Sequence, residues 1–236
     1  MIHWLAPYLF SEDVCRLLGY ISVRAGGAAV TAFLLAIVIG PAVIRWLSRQ
    51  GVAERIDGTG SDTLEELHKT KVGTPTMGGL FVVGAVLFSA AIWLRFDGVN
   101  RFSLPGLALI AGFAGVGFWD DWTKLRQGQK GEKKRGISKR EKQGALTIIA
   151  LLVGLWLIGP AALQDDVGGP RLYIPFAKDF SLNLSAWWGV PFLILAVVVL
   201  TGSANAVNLT DGLDGLAAGC VATSAIAYAV ITYAVG

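Results

Sequence analysis

The sequence has few charged residues and few cysteines, and each shortage excludes a class of protein. Only 16% of its 236 residues are charged, whereas a soluble domain carries about a quarter. Cys15 and Cys220 lie far apart without Cys or His neighbours at metal-ligand spacing, which excludes a disulfide framework and a zinc site. The net charge of +3 is too small to indicate nucleic acid as a partner. The N-terminal segment lacks a basic region, so we do not predict a cleavable signal peptide.

Long apolar runs, by contrast, are abundant, and they predict an integral membrane protein. Hydrophobic residues make up 54% of the chain, and six runs come near the roughly 17–25 residues that cross a bilayer as a helix. An open sheet would leave backbone groups unpaired in hydrocarbon, so helices are expected. We predict an all-α polytopic helix bundle with about six transmembrane helices, forming a single domain over residues 1–236. The runs are Gly26–Leu47, Met77–Leu94, Leu104–Trp119, Ala145–Leu163, Ala186–Val207 and Leu216–Val235.

The basic residues predict the orientation of these helices. Lys and Arg concentrate in the connection between runs one and two and in that between runs three and four. The connections on the other side carry few basic residues. Because cytoplasmic loops are enriched in Lys and Arg, the two basic connections are expected in the cytoplasm and the N-terminus outside.

Three polar motifs fall on this cytoplasmic side: HKTKVGTPTMGGL over 68–80, GFWDDWTK over 117–124 and NAVNLTDGLDGLA over 205–217. Each has a purely structural explanation as well, namely a capped helix start, an aromatic anchor at the membrane surface, and a second helix start. Together, however, they bring carboxylates, lysines and a helix N-terminus to one face. Magnesium-assisted chemistry on phosphates needs these groups.

The second motif places two adjacent acids at the predicted C-terminal end of the third helix. The helix dipole disfavours anions there, and Asp120 and Asp121 repel one another, so a counter-ion is expected, either Mg²⁺ or a lysine such as Lys124. Neighbours on a helix point about 100° apart, so the two acids can face different partners. In the third motif, Asp211 and Asp214 would share a face if the segment is helical.

The motifs GTPTMGG, Asp-Asp and NAVNLTDGLDGLA, in this order, resemble those of the phospho-N-acetylmuramoyl-pentapeptide transferases. These form a branch of the polyprenyl-phosphate N-acetylhexosamine-1-phosphate transferase family, and the resemblance spans essentially the whole chain. It implies Mg²⁺-dependent transfer of phospho-N-acetylmuramoyl-pentapeptide from its UDP derivative to undecaprenyl phosphate, giving lipid I and UMP for peptidoglycan synthesis. It also implies the bacterial inner membrane, with the active site on its cytoplasmic side.

The resemblance further implies roles for single residues. Asp120 would be the base or the orienting carboxylate for the lipid phosphate, and Asp121 would be a second catalytic aspartate. Residues implied to contact substrate are Lys71, Thr76, Lys124, Lys142, Asn208 and Asp214, and the candidate Mg²⁺ ligands are Asp120, Asp121 and Asp211. Family members have ten transmembrane helices, with a further metal-binding aspartate and a His-rich loop in the later ones. Residues 1–236 alone are therefore expected to be inactive.

Three alternatives stay open from the sequence. The first is an N-acetylglucosamine-1-phosphate transferase, a neighbouring branch of the same family. The second is a membrane transporter, which predicts ionisable residues at mid-membrane depth or inverted repeats. The third is a non-catalytic scaffold, which predicts that Asp120→Asn leaves function intact. The peptide composition of the sugar substrate, the lipid length and the oligomeric state are undecided, with a homodimer as one candidate.

Overall fold

Apolar helices dominate the computed structural model, which describes residues 8, 11–49, 78–94, 102–129, 136–159, 171–173, 181–184, 186–211 and 215–235. These residues fall into two compact units, Met1–Ala145 and Leu146–Gly236, and each unit is described by itself. The helices are α1 Glu12–Gly19, α2 Ile21–Arg49, α3 Gly79–Trp93, α4 Ser103–Gln129, α5 Lys139–Ile158, α6 Ala186–Thr210 and α7 Leu216–Val235. Two strands, β1 Arg171–Tyr173 and β2 Ser181–Asn183, pair antiparallel with Leu172 opposite Leu182.

Among the described residues, five helices, α2 and α4–α7, have the length and apolar composition to cross a membrane. The helix of the second run, α3, is apolar but has 15 residues. The predicted all-α polytopic membrane protein is thereby confirmed. The eight-residue α1 and the short hairpin β1–β2 are additions that the apolar runs did not predict. The prediction of a single domain over 1–236 stays a prediction.

Four predicted helix boundaries differ from the structure by at least five residues. Helix α2 begins at Ile21 instead of Gly26, and α4 continues past Trp119 to Gln129. Helix α5 begins at Lys139 instead of Ala145 and ends at Ile158 instead of Leu163. An apolar run ends where the residues become polar, whereas the helix that contains it continues as long as its residues favour helical structure. Asp120 therefore lies about 2.5 turns before the end of α4, so the expected penalty from the helix C-terminus does not apply.

Helices α2 and α3 pack antiparallel, with the start of α2 beside the end of α3. Gly27 lies against the indole ring of Trp93, where a Cβ atom would collide with the ring. Two hydrogen bonds join the helices at this end. The Ser89 hydroxyl donates to the Ala28 carbonyl at 2.6 Å, and the Trp93 indole donates to the Thr31 hydroxyl at 3.0 Å. Polar bonds between close-packed helices fix the register of the pair in a membrane.

The second unit contains the main part of α5, with α6 and α7. Gly154 of α5 allows Leu193 of α6 to approach closely, and Ile158 packs against the backbone of Gly189. Gly189 has φ of +78°, a conformation that side chains disfavour. Most side chains of α7 are exposed within the described part of this unit.

Candidate functional site

The last residues of the first polar motif, at the start of α3, lie beside the second motif on α4. A cleft of about 190 Å³ opens between the two helices at this end. Its lining is mostly small or apolar, with one carboxylate: Gly79, Leu80, Val83, Ala114, Gly117, Phe118 and Asp121. Because Gly79 and Gly117 carry no side chain, a ligand in the cleft could approach the backbone of both helices. The end of the first motif thus lies beside the acidic pair of the second.

Lys124 joins the two adjacent acids into one charged group, which we call the Asp–Lys cluster (Asp120, Asp121 and Lys124). Its ammonium lies 2.8 Å from Asp120 Oδ2 and 3.2 Å from Asp121 Oδ1. The Asp120 side chain is 13% exposed, whereas those of Asp121 and Lys124 are 38% and 41% exposed. A lysine is therefore the counter-ion within the described residues, as the repulsion between the acids requires.

The two acids face different neighbours. Asp121 lines the cleft beside α3. Asp120 instead points at the segment that enters α5, where its Oδ1 accepts the backbone N–H of Ile137 at 3.0 Å. Both carboxylate oxygens of Asp120 are thus held by protein donors, one from Lys124 and one from the backbone.

The segment held by Asp120 is a turn of three residues, 136–138, which we call the α5 entry turn. Gly136 has φ of +66° and packs directly on the Asp120 carboxylate and on the aliphatic part of Lys124. Its backbone N–H donates to Gln127 Oε1 at 3.1 Å. Two side chains of α4 that lie about two helical turns apart, Asp120 and Gln127, therefore bind consecutive backbone N–H groups of this turn.

A capping box closes the entry turn and starts α5. The Ser138 hydroxyl accepts the N–H of Glu141 at 3.2 Å, and the Glu141 carboxylate accepts the N–H of Ser138 at 2.8 Å. This reciprocal pair satisfies N–H groups that a helix start would otherwise leave open. It fixes the first turn of α5, from which Lys142 adds positive charge beside Asp120.

Aromatic side chains flank the Asp–Lys cluster on α4. The rings of Phe118 and Trp122 stack with centroids 5.9 Å apart, and the Arg126 guanidinium lies 5.3 Å from the Trp122 ring centroid. Trp119 and Trp122 are exposed. Aromatic rings beside an arginine are typical of a membrane–water boundary.

The structure gathers some of the predicted site residues and leaves others apart. Lys124 contacts both Asp120 and Asp121, and the positive charge of Lys142 lowers the pKa of Asp120. Lys71, Thr76 and Asp214 lie outside the described residues.

The third motif belongs to the second unit. Asn208 lies in the last turn of α6, and Asp211 follows its end; both are exposed. The structural explanation of Asn208 and Thr210 as a helix start was therefore wrong, because they end α6, and the next helix begins at Leu216.

Sequence reasoning missed Gln127, Gly136 and Ile137. Their contacts depend on how the chain returns to α4, which no local pattern shows. One signal was available, however. The spacing Ser138-x-x-Glu141 is a capping-box pattern and would have predicted the start of α5 at Lys139.

Among the described residues, no group of three or more His, Cys, Asp or Glu side chains could hold a metal ion. A magnesium ion, however, is usually held by one or two carboxylates together with substrate phosphates and waters. The Asp–Lys cluster fits that kind of site, and Asp121 is the better placed ligand because it is half-exposed and lines the cleft.

Comparison with known proteins identifies one matching family model and relatives that share one name. The model of the family described as "Glycosyl transferase family 4" matches residues 103–236. The chain is 39% identical over 235 residues to a phospho-N-acetylmuramoyl-pentapeptide-transferase of Maridesulfovibrio salexigens, covering 99% of this chain and 60% of that protein. A protein of the same name from Ruegeria pomeroyi is 40% identical over 239 residues, covering 100% of this chain and 61% of the relative.

A third protein of that name, from Methylacidiphilum infernorum, is 39% identical over 237 residues and is covered to 62% of its length. The chain thus spans about three fifths of the length of these relatives. The matched region begins with α4 and includes the Asp–Lys cluster, the α5 entry turn and the third motif. On these grounds, this multi-pass membrane protein belongs to glycosyl transferase family 4.

Proposed function

We propose that the protein transfers phospho-N-acetylmuramoyl-pentapeptide from its UDP derivative to undecaprenyl phosphate, producing lipid I and UMP. The observation that carries this proposal is the Asp–Lys cluster beside the α3–α4 cleft. It lies in a chain that is similar over nearly its whole length to phospho-N-acetylmuramoyl-pentapeptide-transferases. Both substrates carry phosphates, and one is a lipid, so a charged site near the headgroups suits them.

The reaction exchanges one pyrophosphate bond for another. An oxygen of the lipid phosphate attacks the phosphorus that bears the sugar, and the bond from this phosphorus to the bridging oxygen of UMP breaks. UMP leaves with the electron pair. Because both reactants are anions, the protein must offset their repulsion. Lys124 and Lys142 supply positive charge from the described residues, and Lys71 would add to it.

The contacts of Asp120 favour one of its two candidate roles. A general base needs an oxygen that is open to the proton it removes. Both oxygens of Asp120 accept protein donors, from Lys124 and from the Ile137 backbone. We therefore assign Asp120 as an orienting carboxylate, which aims Lys124 and the start of α5 at the lipid phosphate.

Magnesium, when bound, would stabilise the negative charge on the pyrophosphate and on the departing UMP. Asp121 is the first candidate to hold it, and Asp120 and Asp211 are the others. Thr76, Asn208 and Asp214 are proposed to contact the phosphates or the uridine of the nucleotide substrate. The proposed location is the bacterial inner membrane, with the N-terminus outside and the Asp–Lys cluster in the cytoplasm. The excess of Lys and Arg in the two connections on that side supports this orientation.

The decisive test measures the exchange of labelled UMP into UDP-sugars, using the protein expressed as its gene encodes it, in membranes containing undecaprenyl phosphate. We expect Mg²⁺-dependent exchange into UDP-N-acetylmuramoyl-pentapeptide, and its loss in Asp121→Asn. Exchange into UDP-N-acetylglucosamine alone would assign the neighbouring branch of the family. No exchange into either sugar would contradict a transferase of this kind.

A further inference from the structure

The α5 entry turn is bound to α4 by two side-chain acceptors. Asp120 Oδ1 accepts the N–H of Ile137 at 3.0 Å, and Gln127 Oε1 accepts the N–H of Gly136 at 3.1 Å. Hydrogen bonds between residues so distant in sequence hold the start of one helix against the side of another. The Asp120 bond is charge-assisted, which makes it the stronger of the two.

Gly136 is the point of closest approach, and two observations show that no side chain fits there. Its φ of +66° lies in the left-handed region, which is strained for residues that have a Cβ atom. A Cβ atom would also collide with Asp120 Oδ1 and would lie 3.0 Å from Cε of Lys124. The two atoms it would displace belong to the Asp–Lys cluster itself.

We propose that Gly136 and Gln127 are positioning residues of this site, because they seat the entry turn on Asp120 and so fix the Asp120–Lys124 pair and the start of α5. The consequence for activity rests on the proposed function. Neither residue needs to touch a substrate. Gly136 leaves room for the carboxylate, and Gln127 holds the preceding backbone N–H, so that the Ile137 N–H points at Asp120 Oδ1.

The test uses two variants at Gln127 and two glycine variants. Gln127→Ala removes the acceptor, whereas Gln127→Glu keeps an oxygen at the same place. Gly136→Ala adds the colliding methyl group. Gly115→Ala is its control, because the same addition on α4 meets nothing within 4 Å. All are made in the protein as its gene encodes it.

The first measurement is hydrogen–deuterium exchange of peptides that cover the entry turn. It reports on the Gly136 and Ile137 amides and needs no catalysis. Gln127→Ala loses one hydrogen bond, and we expect about fivefold faster exchange there. Gly136→Ala should accelerate it more, while Gln127→Glu and Gly115→Ala should resemble the wild type. Unchanged exchange in both Gly136→Ala and Gln127→Ala would overturn the proposal.

The second measurement is the rate of UMP release with saturating substrates. Since a misplacement of about 1 Å can cost about 100-fold in rate, we expect a fall of that order for Gly136→Ala and about fivefold for Gln127→Ala. Gln127→Glu should recover most of the loss, which a merely stabilising role would not predict. Full activity of Gly136→Ala, or no recovery in Gln127→Glu, would overturn the positioning role.

The two measurements separate this inference from the proposed function. A wild type that releases no UMP from any UDP-sugar would refute the proposed function, and the positioning of a transferase site with it. The exchange data would still decide whether the two residues seat the entry turn. An active wild type with unaltered exchange in the variants would refute the positioning inference alone.

Discussion

Replacing Lys124 with methionine keeps a long side chain but removes the cation shared by Asp120 and Asp121. The bond to Asp120 is 2.8 Å long, and its carboxylate is largely buried. We expect such a bond to contribute about 1.5–2 kcal/mol to stability. The bond to Asp121 is 3.2 Å long between half-exposed groups and contributes about 0–1 kcal/mol. Solvent also screens Lys124 itself, so we expect a total near 2 kcal/mol.

A loss of about 2 kcal/mol, if it falls wholly on the transition state, lowers the rate by about 30-fold. The assay is the initial rate of Mg²⁺-dependent UMP release by Lys124→Met at saturating UDP-N-acetylmuramoyl-pentapeptide and undecaprenyl phosphate. Lys139→Met is the matched control, because it makes the same change of charge at an exposed position on the first turn of α5. Lys124→Arg should retain part of the activity, since it keeps the charge but not the compact shape of the ammonium.

A rate for Lys124→Met within twofold of the wild type would refute this reasoning. An equal fall in Lys139→Met would refute it too, because the effect would then follow the total charge and not the contacts. A stability measurement adds an independent check. Because Lys124 offsets the repulsion between the two acids, Asp121→Asn should restore the smaller part of the stability that Lys124→Met loses, and a double-mutant cycle would show the coupling.

Two predictions concern stability away from the cluster. Gly27→Ala should lower stability by about 1–3 kcal/mol, because its methyl group meets the ring of Trp93, whereas the neighbouring Gly26→Ala should be neutral or slightly stabilising. Thermal unfolding in detergent compares the two variants. Equal unfolding midpoints would contradict the close packing of Gly27 on Trp93. Ser138→Ala should cost about 1 kcal/mol by opening the capping box with Glu141, and faster amide exchange over the first turn of α5 would show it; unchanged exchange would exclude this cap.

The membrane helices could be predicted from hydropathy because a helix that crosses a bilayer needs a long apolar stretch, whatever other helices it packs against. Five of the runs became helices long enough to span. Their ends could not be predicted in the same way. Helix α4 extends to Gln129 through a charged stretch, where the ion pairs of Lys124 and the contact of Arg126 with Trp122 support the helix beyond its apolar part.

The site could be predicted in part. The expectation that the two acids need a counter-ion rested on their mutual repulsion, which is independent of where the helix ends, and Lys124 provides it. The expectation that the helix dipole at the C-terminus disfavours the two acids was wrong, because α4 continues to Gln129. The entry turn was missed, since the bond from Ile137 to Asp120 joins residues in two elements and depends on the path of the connection between them.

The spacing of the Asp–Lys cluster explains how one helix serves two neighbours at once. Adjacent residues on a helix point about 100° apart, so Asp121 reaches the cleft beside α3 while Asp120 reaches the α5 entry turn. A cation that bonds both must lie one turn from each. Position 124 is four residues after the first acid and three after the second, and both spacings bring side chains together. Moving the lysine by one residue would put it out of reach of one carboxylate, so the pattern Asp-Asp-x-x-Lys is what couples the cleft to the start of α5.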